Sequence, residues 1–328
     1  MRTIVLILKH ALRLILLALA VAFVTFWLSS IIPGDFFSTH LMESGMRAET
    51  VEQLRDKYGL NQPAYIQYSR WLFNLLRLDL GYSLFYQRPV TSIVADALAK
   101  TLWIGIPALV FGFCGGTILG ALHKISEQCL WGRCLDFLST VALSLPSLLL
   151  GLVALLFAVH TNWFPLGGMS SLDNQNAGFL PWLADRIHHL FLPVTCLTLP
   201  ILASVERIQY AATHGHAKDP YLRFAQSRGL GRLRFFTHYV LRPGLNPVLS
   251  ISGPMIGGVL SGSLVLEVIF AWPGLGQITY DALFNNDLFL LAGCIVGSSV
   301  LLIVGNLLAD LALVWLDPRT RSLVRKGL

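Results

Sequence analysis

The 328-residue sequence predicts an all-α, polytopic membrane protein with six transmembrane helices and a helical insertion outside the membrane after the first. Three observations predict it. Hydrophobic residues make up 55% of the chain and charged ones 13%, against roughly 25% charged in soluble domains. Six uncharged apolar runs approach or exceed the ~20 helical residues that cross a hydrocarbon core. Lysine and arginine are spread unevenly over the segments that join those runs.

The first run, Leu14–Ile32, is too long for a removable signal peptide and lacks its small-residue cleavage site, so it counts as a span. "IPGD" (Ile32–Asp35) ends it, because Pro33 and Gly34 break the helix and Asp35 requires water. The loop 33–100 carries helical pattern. "AETVEQLRDKYGL" reads as a helix from Ala48 to Tyr58 stopped by Gly59. "QPAYIQYSRWLFNLL" reads as a second helix opened by Pro63, with Ile66, Leu72, Phe73 and Leu76 near helical spacing. Two solvated helices capping the outer face account for both. Further spans are predicted at Thr101–Leu122, Phe137–Val159, Pro243–Leu266 and Leu288–Ala309. The run Leu190–Val205 is shorter and contains Pro193 and Pro200, which membrane bundles tolerate. No internal repeat is present, so residues 1–328 read as one domain, with 33–100 as the external insertion and 206–242 as a cytoplasmic loop.

Six spans leave both termini on one side. The N-terminus, the 123–136 loop, the 206–242 loop and the tail hold 3, 2, 7 and 4 basic residues. The opposite loops hold 7, 1 and none, and the 7 lie in the long 33–100 loop, where 7 acids balance them and where length weakens their vote. Both termini are therefore expected in the cytoplasm. Retention of Lys and Arg on the inner face accounts for the net charge of +6 without nucleic acid or an acidic substrate. The five cysteines, three of them inside spans, give no disulfide framework or zinc spacing.

An enzyme would need a nucleophile, an acid or a metal cluster. The chain has no P-loop, no H-E-x-x-H and no G-x-S-x-G, and lacks even a Gly-Lys dipeptide. No catalytic, cofactor or metal site is expected. His188-His189 and His214-x-His216 sit at span boundaries, where an imidazole is stable without a metal. Asp310 is the clear intramembrane acid, too few for a proton-coupled carrier.

The stretch "AKDPYLRFAQSRGLGRLRFF" (Ala217–Phe236) is the basic exception in a greasy chain. Asp219 is placed to cap a helix, Pro220 to occupy its first turn and Gly229 to stop it. Tyr221, Phe224, Ala225 and Arg228 then share one face, with Arg223 beside them. A helix of about two turns does not persist alone in water, so it must be docked. The residues alone allow two docks: anionic lipid headgroups, or a cytoplasmic partner protein.

"YLRFAQSRGL…LRPGLNP" resembles the cytoplasmic loop of the membrane-spanning subunits of binding-protein-dependent ABC importers, in the dipeptide/oligopeptide/nickel branch. Tyr221, Arg223, Ala225, Gly229, Leu230, Leu241, Arg242 and Pro247 keep identity and spacing. "IPGD", "YGLNQPAYIQYSRWL", "LDLGYS", "EVIFAWPGLG" and "NLLADLALVWLDPR" resemble the family's other markers, in its order and over nearly the whole chain. The resemblance implies a type I ABC importer transmembrane domain in a bacterial inner membrane, the insertion being periplasmic. It implies a second homologous permease subunit and two cytoplasmic ATPase subunits that use ATP and Mg. It also implies a periplasmic or extracellular solute-binding protein. The short helix would be the coupling helix, and the cargo a peptide; a nickel chelate, another solute, or a scaffold without transport are the alternatives. Departures from the pattern fall at Pro220, Phe224, Gln226, Arg228 and Tyr210. In "EVIFAWPGLG", Glu267, Trp272, Pro273 and Gly274 are expected to form an external turn or gate, with Trp272 in the interfacial aromatic belt.

Overall fold

The computed structural model describes residues 2–31, 36–37, 52–53, 55–56, 59–126, 128–171, 178–216, 224, 227–229 and 231–316. The described residues are almost entirely helical. They fall into two compact units, the first from 3–101 and 273–303, the second from 102–272 and 304 onward.

The first unit opens with α1 (Arg2–Ile31), an unbroken helix of 30 residues. Most of the helix expected at 48–58 lies outside the described residues, but its stop does not. Gly59 has φ +70, its N–H donates to Asp56 O at 3.1 Å, and the Leu60 N–H donates to Arg55 O at 2.9 Å. That is a Schellman ending, which needs the left-handed conformation glycine adopts freely. Pro63 then precedes α2 (Ala64–Leu75), as expected. The buried face of α2 is not the one the sequence suggested, since Phe73 and Leu76 are exposed. Tyr68, Trp71, Leu72 and Leu75, spaced i, i+3, i+4, i+7, pack inward instead. The Tyr68 hydroxyl donates to Leu19 O of α1 at 3.0 Å.

A two-residue-per-strand hairpin follows, β1 (Tyr82–Ser83) against β2 (Arg88–Pro89), with Tyr82 opposite Pro89. It leads into α3 (Val90–Ile125), which begins before the predicted span at Thr101. The reason is periodic: Val90, Ile93, Val94 and Ala97 are buried at helical spacing and share a core with Ala22, Phe26, Trp71 and Leu290. The unit closes with α10 (Leu275–Phe284) and the start of α11 (Leu288–Leu316). Asp287, fully buried between them, ties the hairpin down. Its Oδ2 accepts from Ser83 Oγ at 2.7 Å and from the Phe85 N–H at 3.1 Å. Its Oδ1 caps α11 by accepting from the Leu290 N–H at 3.2 Å. Tyr86 adds a hydroxyl bond to Asp281 Oδ2 at 2.6 Å, and burial first, then that carboxylate, pushes its phenol well above its ordinary pKa.

In the second unit, α4 (Leu130–Ser144) and α5 (Ser147–Thr161) replace the single span expected at Phe137–Val159. They are bent by 106°. Pro146 accounts for the correction: it lacks an N–H and disfavours the helical conformation at the residue before it. Leu145 accordingly sits at φ −88, ψ 123. The doubtful run Leu190–Val205 lies within α6 (Phe179–His216), a 38-residue helix that contains both Pro193 and Pro200. Helix thus continues through 206–216, the start of the expected loop.

The chain returns through α7 (Arg232–Phe235), a π-helical turn (Phe236–Leu241) and α8 (Arg242–Ser250), then α9 (Ser252–Ile269). The span expected at Pro243–Leu266 is therefore divided at Ile251 (φ −91, ψ −3). Pro254 lies in the first turn of α9, where its missing donor breaks no helical bond.

α6 is the hub, packed against α4, α5, α8 and α9. α3 meets it along glycines: a Cβ at Gly116 would stand 2.6 Å from Leu202 O and 2.7 Å from Val205 Cβ. Among the described residues, α3, α6, α9 and α11 are long and apolar enough to cross a membrane, and the bent pair α4–α5 adds a fifth if it counts as one. α1 contributes a shorter apolar stretch, Ile15–Leu28.

Candidate functional site

Of the residues assigned to the docking helix, Asp219, Pro220, Tyr221, Arg223 and Ala225 lie outside the described residues. Phe224, Arg228 and Gly229 are described, and all are exposed. The Arg228 guanidinium lies over the Phe224 ring, 5.8 Å from its centroid, within cation–π range. Gly229 has φ +66, the left-handed conformation that ends a helix. A Cβ there would meet nothing within 4 Å, so backbone angle, not space, constrains the position.

The two stems of this loop are bonded to each other. Gln209 of α6 is fully buried, and its Nε2 donates to Leu241 O at 2.9 Å. One turn on, the Thr213 hydroxyl donates to Gln209 O at 2.8 Å and, more distantly, to Val240 O at 3.2 Å. The acceptors belong to the π-helical turn, whose widened i→i+5 pattern departs from the α ladder. Gly244 makes room: any Cβ there would overlap the Gln209 amide. The segment 217–231 thus lies between two helical stems that are hydrogen-bonded to each other.

A second polar cluster sits just above the stems. His123, in the last turn of α3, donates from Nδ1 to Glu206 Oε1 of α6 at 2.5 Å. Ser139 of α4 donates to Glu206 Oε2 at 2.7 Å. All three side chains are buried, Glu206 to 1% exposure. The Tyr210 ring stacks on His123 with centroids 4.2 Å apart. At the rim, Arg207 donates to Thr140 Oγ1 at 2.5 Å and to Asp136 Oδ1 at 3.5 Å. Sequence reasoning missed Glu206. The available signal was a carboxylate directly following an apolar run, one turn before an aromatic residue.

At the other candidate site, Glu267 and Trp272 are both fully buried, which corrects the expectation that Trp272 lies in an interfacial belt. The chain folds back there: the Trp272 N–H donates to Glu267 O at 2.8 Å, and Gly168 of the 162–171 loop donates to Phe270 O at 2.8 Å. Trp272 packs in the same core as Phe270 and Leu266, with Phe164 and Met169 against it. Ala271, at φ +46, ends α9, and Gly274 stands at the N-cap of α10, so a ten-residue helix intervenes before α11. His188 Nε2 lies 2.7 Å from Trp163 O and His189 Nδ1 2.8 Å from Asp185 O.

Several apolar helices of membrane-crossing length define a polytopic membrane protein. The chain belongs to the family described as binding-protein-dependent transport system inner membrane component, which matches residues 112–322, and residues 3–105 match that system's N-terminal membrane component. Its fold class is the type I ABC importer transmembrane domain. It is 32% identical over 315 residues to the oligopeptide transport system permease protein AppB of Bacillus subtilis (strain 168), covering 95% of this chain and 98% of that one. It is 28% identical to the oligopeptide permease OppB of Haemophilus influenzae, over 96% and 99% of the two chains. It is 29% identical to the dipeptide permease DppB of Escherichia coli (strain K12), over 92% and 94%.

Proposed function

We propose that this chain is one permease subunit of an ATP-driven importer that carries peptides across a bacterial inner membrane. The observation that carries this reading is end-to-end similarity to chains named as oligopeptide and dipeptide permeases. The bonded stems support it, because helices tied by Gln209–Leu241 and Thr213–Val240 can carry a pull exerted by a partner on the segment between them. On this reading a second homologous permease completes the path, two cytoplasmic ATPase subunits bind ATP and Mg, and an external binding protein delivers the solute. Counting α1, α3, the bent α4–α5 pair, α6, α9 and α11 gives six crossings with both termini in the cytoplasm. The helix from Pro220 to Arg228 is the docking plug, anchored by Tyr221 and Phe224.

The test uses Gly229→Val and Tyr221→Ala/Phe224→Ala in the chain co-expressed with its permease partner, ATPase subunits and binding protein. Inserted variants are expected to lose both ATPase co-purification and peptide uptake. Parental assembly and uptake in both variants would leave the segment as an interfacial basic helix. The orientation is checked by single cysteines at Gln277 and Arg228 in a chain freed of its native thiols, which should label from opposite faces.

A further inference from the structure

The bonded stems join the two ends of the loop, but they do not by themselves carry its displacement to the rest of the bundle. We propose that the buried His123–Glu206–Ser139 cluster is that link: a positioning device through which the docking loop drives α3 and α4. The proposal rests on the importer reading above.

The geometry is specific. Glu206 lies three residues before Gln209 and seven before Thr213 on the same face of α6, so roughly 10 Å of continuous helix joins the loop staples to the cluster. The carboxylate uses one oxygen for each neighbour: Oε1 faces His123 of α3, and Oε2 accepts from Ser139 of α4. Tyr210, one turn from Glu206, stacks on the imidazole and leaves that ring little room to turn away. Elsewhere the α3–α6 contact runs over Gly112, Gly116 and Gly120, where Ile201, Val205 and Gln209 of α6 occupy the space a side chain would take. The cluster adds directional bonds to that close packing and extends them to α4.

The titratable and charged groups around the cluster are few. Arg207 is turned to the α4 rim at Asp136, and Lys124 meets His214 Nδ1 at 3.0 Å. A purely structural role is a poor explanation of the cluster, because a well-packed apolar pair usually holds buried helices as firmly as a buried imidazole and carboxylate do. What the polar pair adds is position: a short bond that transmits movement when made and releases it when broken.

The experiment uses the complete transporter in liposomes and measures peptide uptake and ATP hydrolysis together, so that their ratio is the readout. The double variant His123→Leu/Glu206→Leu keeps the site buried and filled while removing the directional bond. It is expected to co-purify with the ATPase subunits as the parent does, yet to carry about tenfold less peptide per ATP hydrolysed. The double variant His123→Gln/Glu206→Gln, which retains a hydrogen-bonding pair, is expected to recover most of that loss. Ser139→Ala covers the case in which the leucine pair fails to insert, and should lower the ratio about twofold to threefold. Parental peptide-to-ATP ratios in the inserted leucine pair, or in Ser139→Ala if that pair does not insert, would overturn the link. A parental chain that binds no ATPase subunit would instead overturn the importer reading itself.

Discussion

A single methyl group at Gly116 should unseat α3 from α6. A Cβ there would stand 2.6 Å from the Leu202 carbonyl oxygen and 2.7 Å from Val205 Cβ, roughly 1 Å inside the ~3.5 Å optimum for non-bonded contact. The oxygen is backbone and Val205 is fully buried, so neither can swing aside. Overpacking of this kind costs about 1–3 kcal/mol. Alanine is favoured over glycine in a helix by up to about 1 kcal/mol, which offsets part of it. The net is a loss of about 1–2 kcal/mol, or a fall in Tm of roughly 2–6 °C for a chain of this size. The control is Gly258→Ala in α9, where a Cβ meets nothing within 4 Å; only the propensity gain applies there, and Tm should hold or rise. Thermal unfolding of detergent-purified parent and variants, followed by tryptophan fluorescence, measures both. Equal stability of Gly116→Ala and the parent, or equal shifts in the two variants, would refute the seam.

Three further outcomes follow from the same reasoning. Gln209→Leu keeps the volume but removes the Gln209–Leu241 bond, at a cost of about 1 kcal/mol, and should make the 217–231 segment more susceptible to protease in the folded chain. Asp287→Ala removes three hydrogen bonds that anchor the hairpin and cap α11; a loss of about 3 kcal/mol is expected, read as a lower Tm with cleavage near 82–89. Tyr86 is held neutral by burial and by Asp281, so its folded pKa exceeds the unfolded value of 10.0. Its contribution is therefore complete below pH 10.0 and lost as the pH climbs through the raised value, and Tyr86→Phe should flatten that alkaline fall in stability.

Hydropathy and local punctuation were legible in the sequence. The apolar runs became helices, Gly59 stopped one and Pro63 opened another, because these signals depend on neighbours a few residues away. Errors came where tertiary context decides. Trp272 reads the same in sequence whether it faces an interface or a core, and only the 162–171 loop folded near it settles the matter. The start of α3 at Val90 was hidden because its buried face is a stripe, not a continuous run. The break at Pro146 was written in the sequence but lost inside an apolar window. The pairing of His123 with Glu206 spans 83 positions and joins two different helices, so no local pattern announces it. The cap, the turn and the stop of the basic segment were read from its residues, whereas its docking role was an expectation from family resemblance, since a short basic helix by itself fits lipid and protein equally well.

The elbow between α4 and α5 has an implication for what surrounds this chain. At a right-angle break, the last carbonyls of one helix and the first amides of the next lose their intrahelical partners together. In hydrocarbon each such group would cost several kcal/mol, so lipid cannot be the medium at the bend. Yet Leu143, Leu145, Leu148 and Leu149 are all exposed on the isolated chain. The bend thus demands water or another protein on a surface that is otherwise oily.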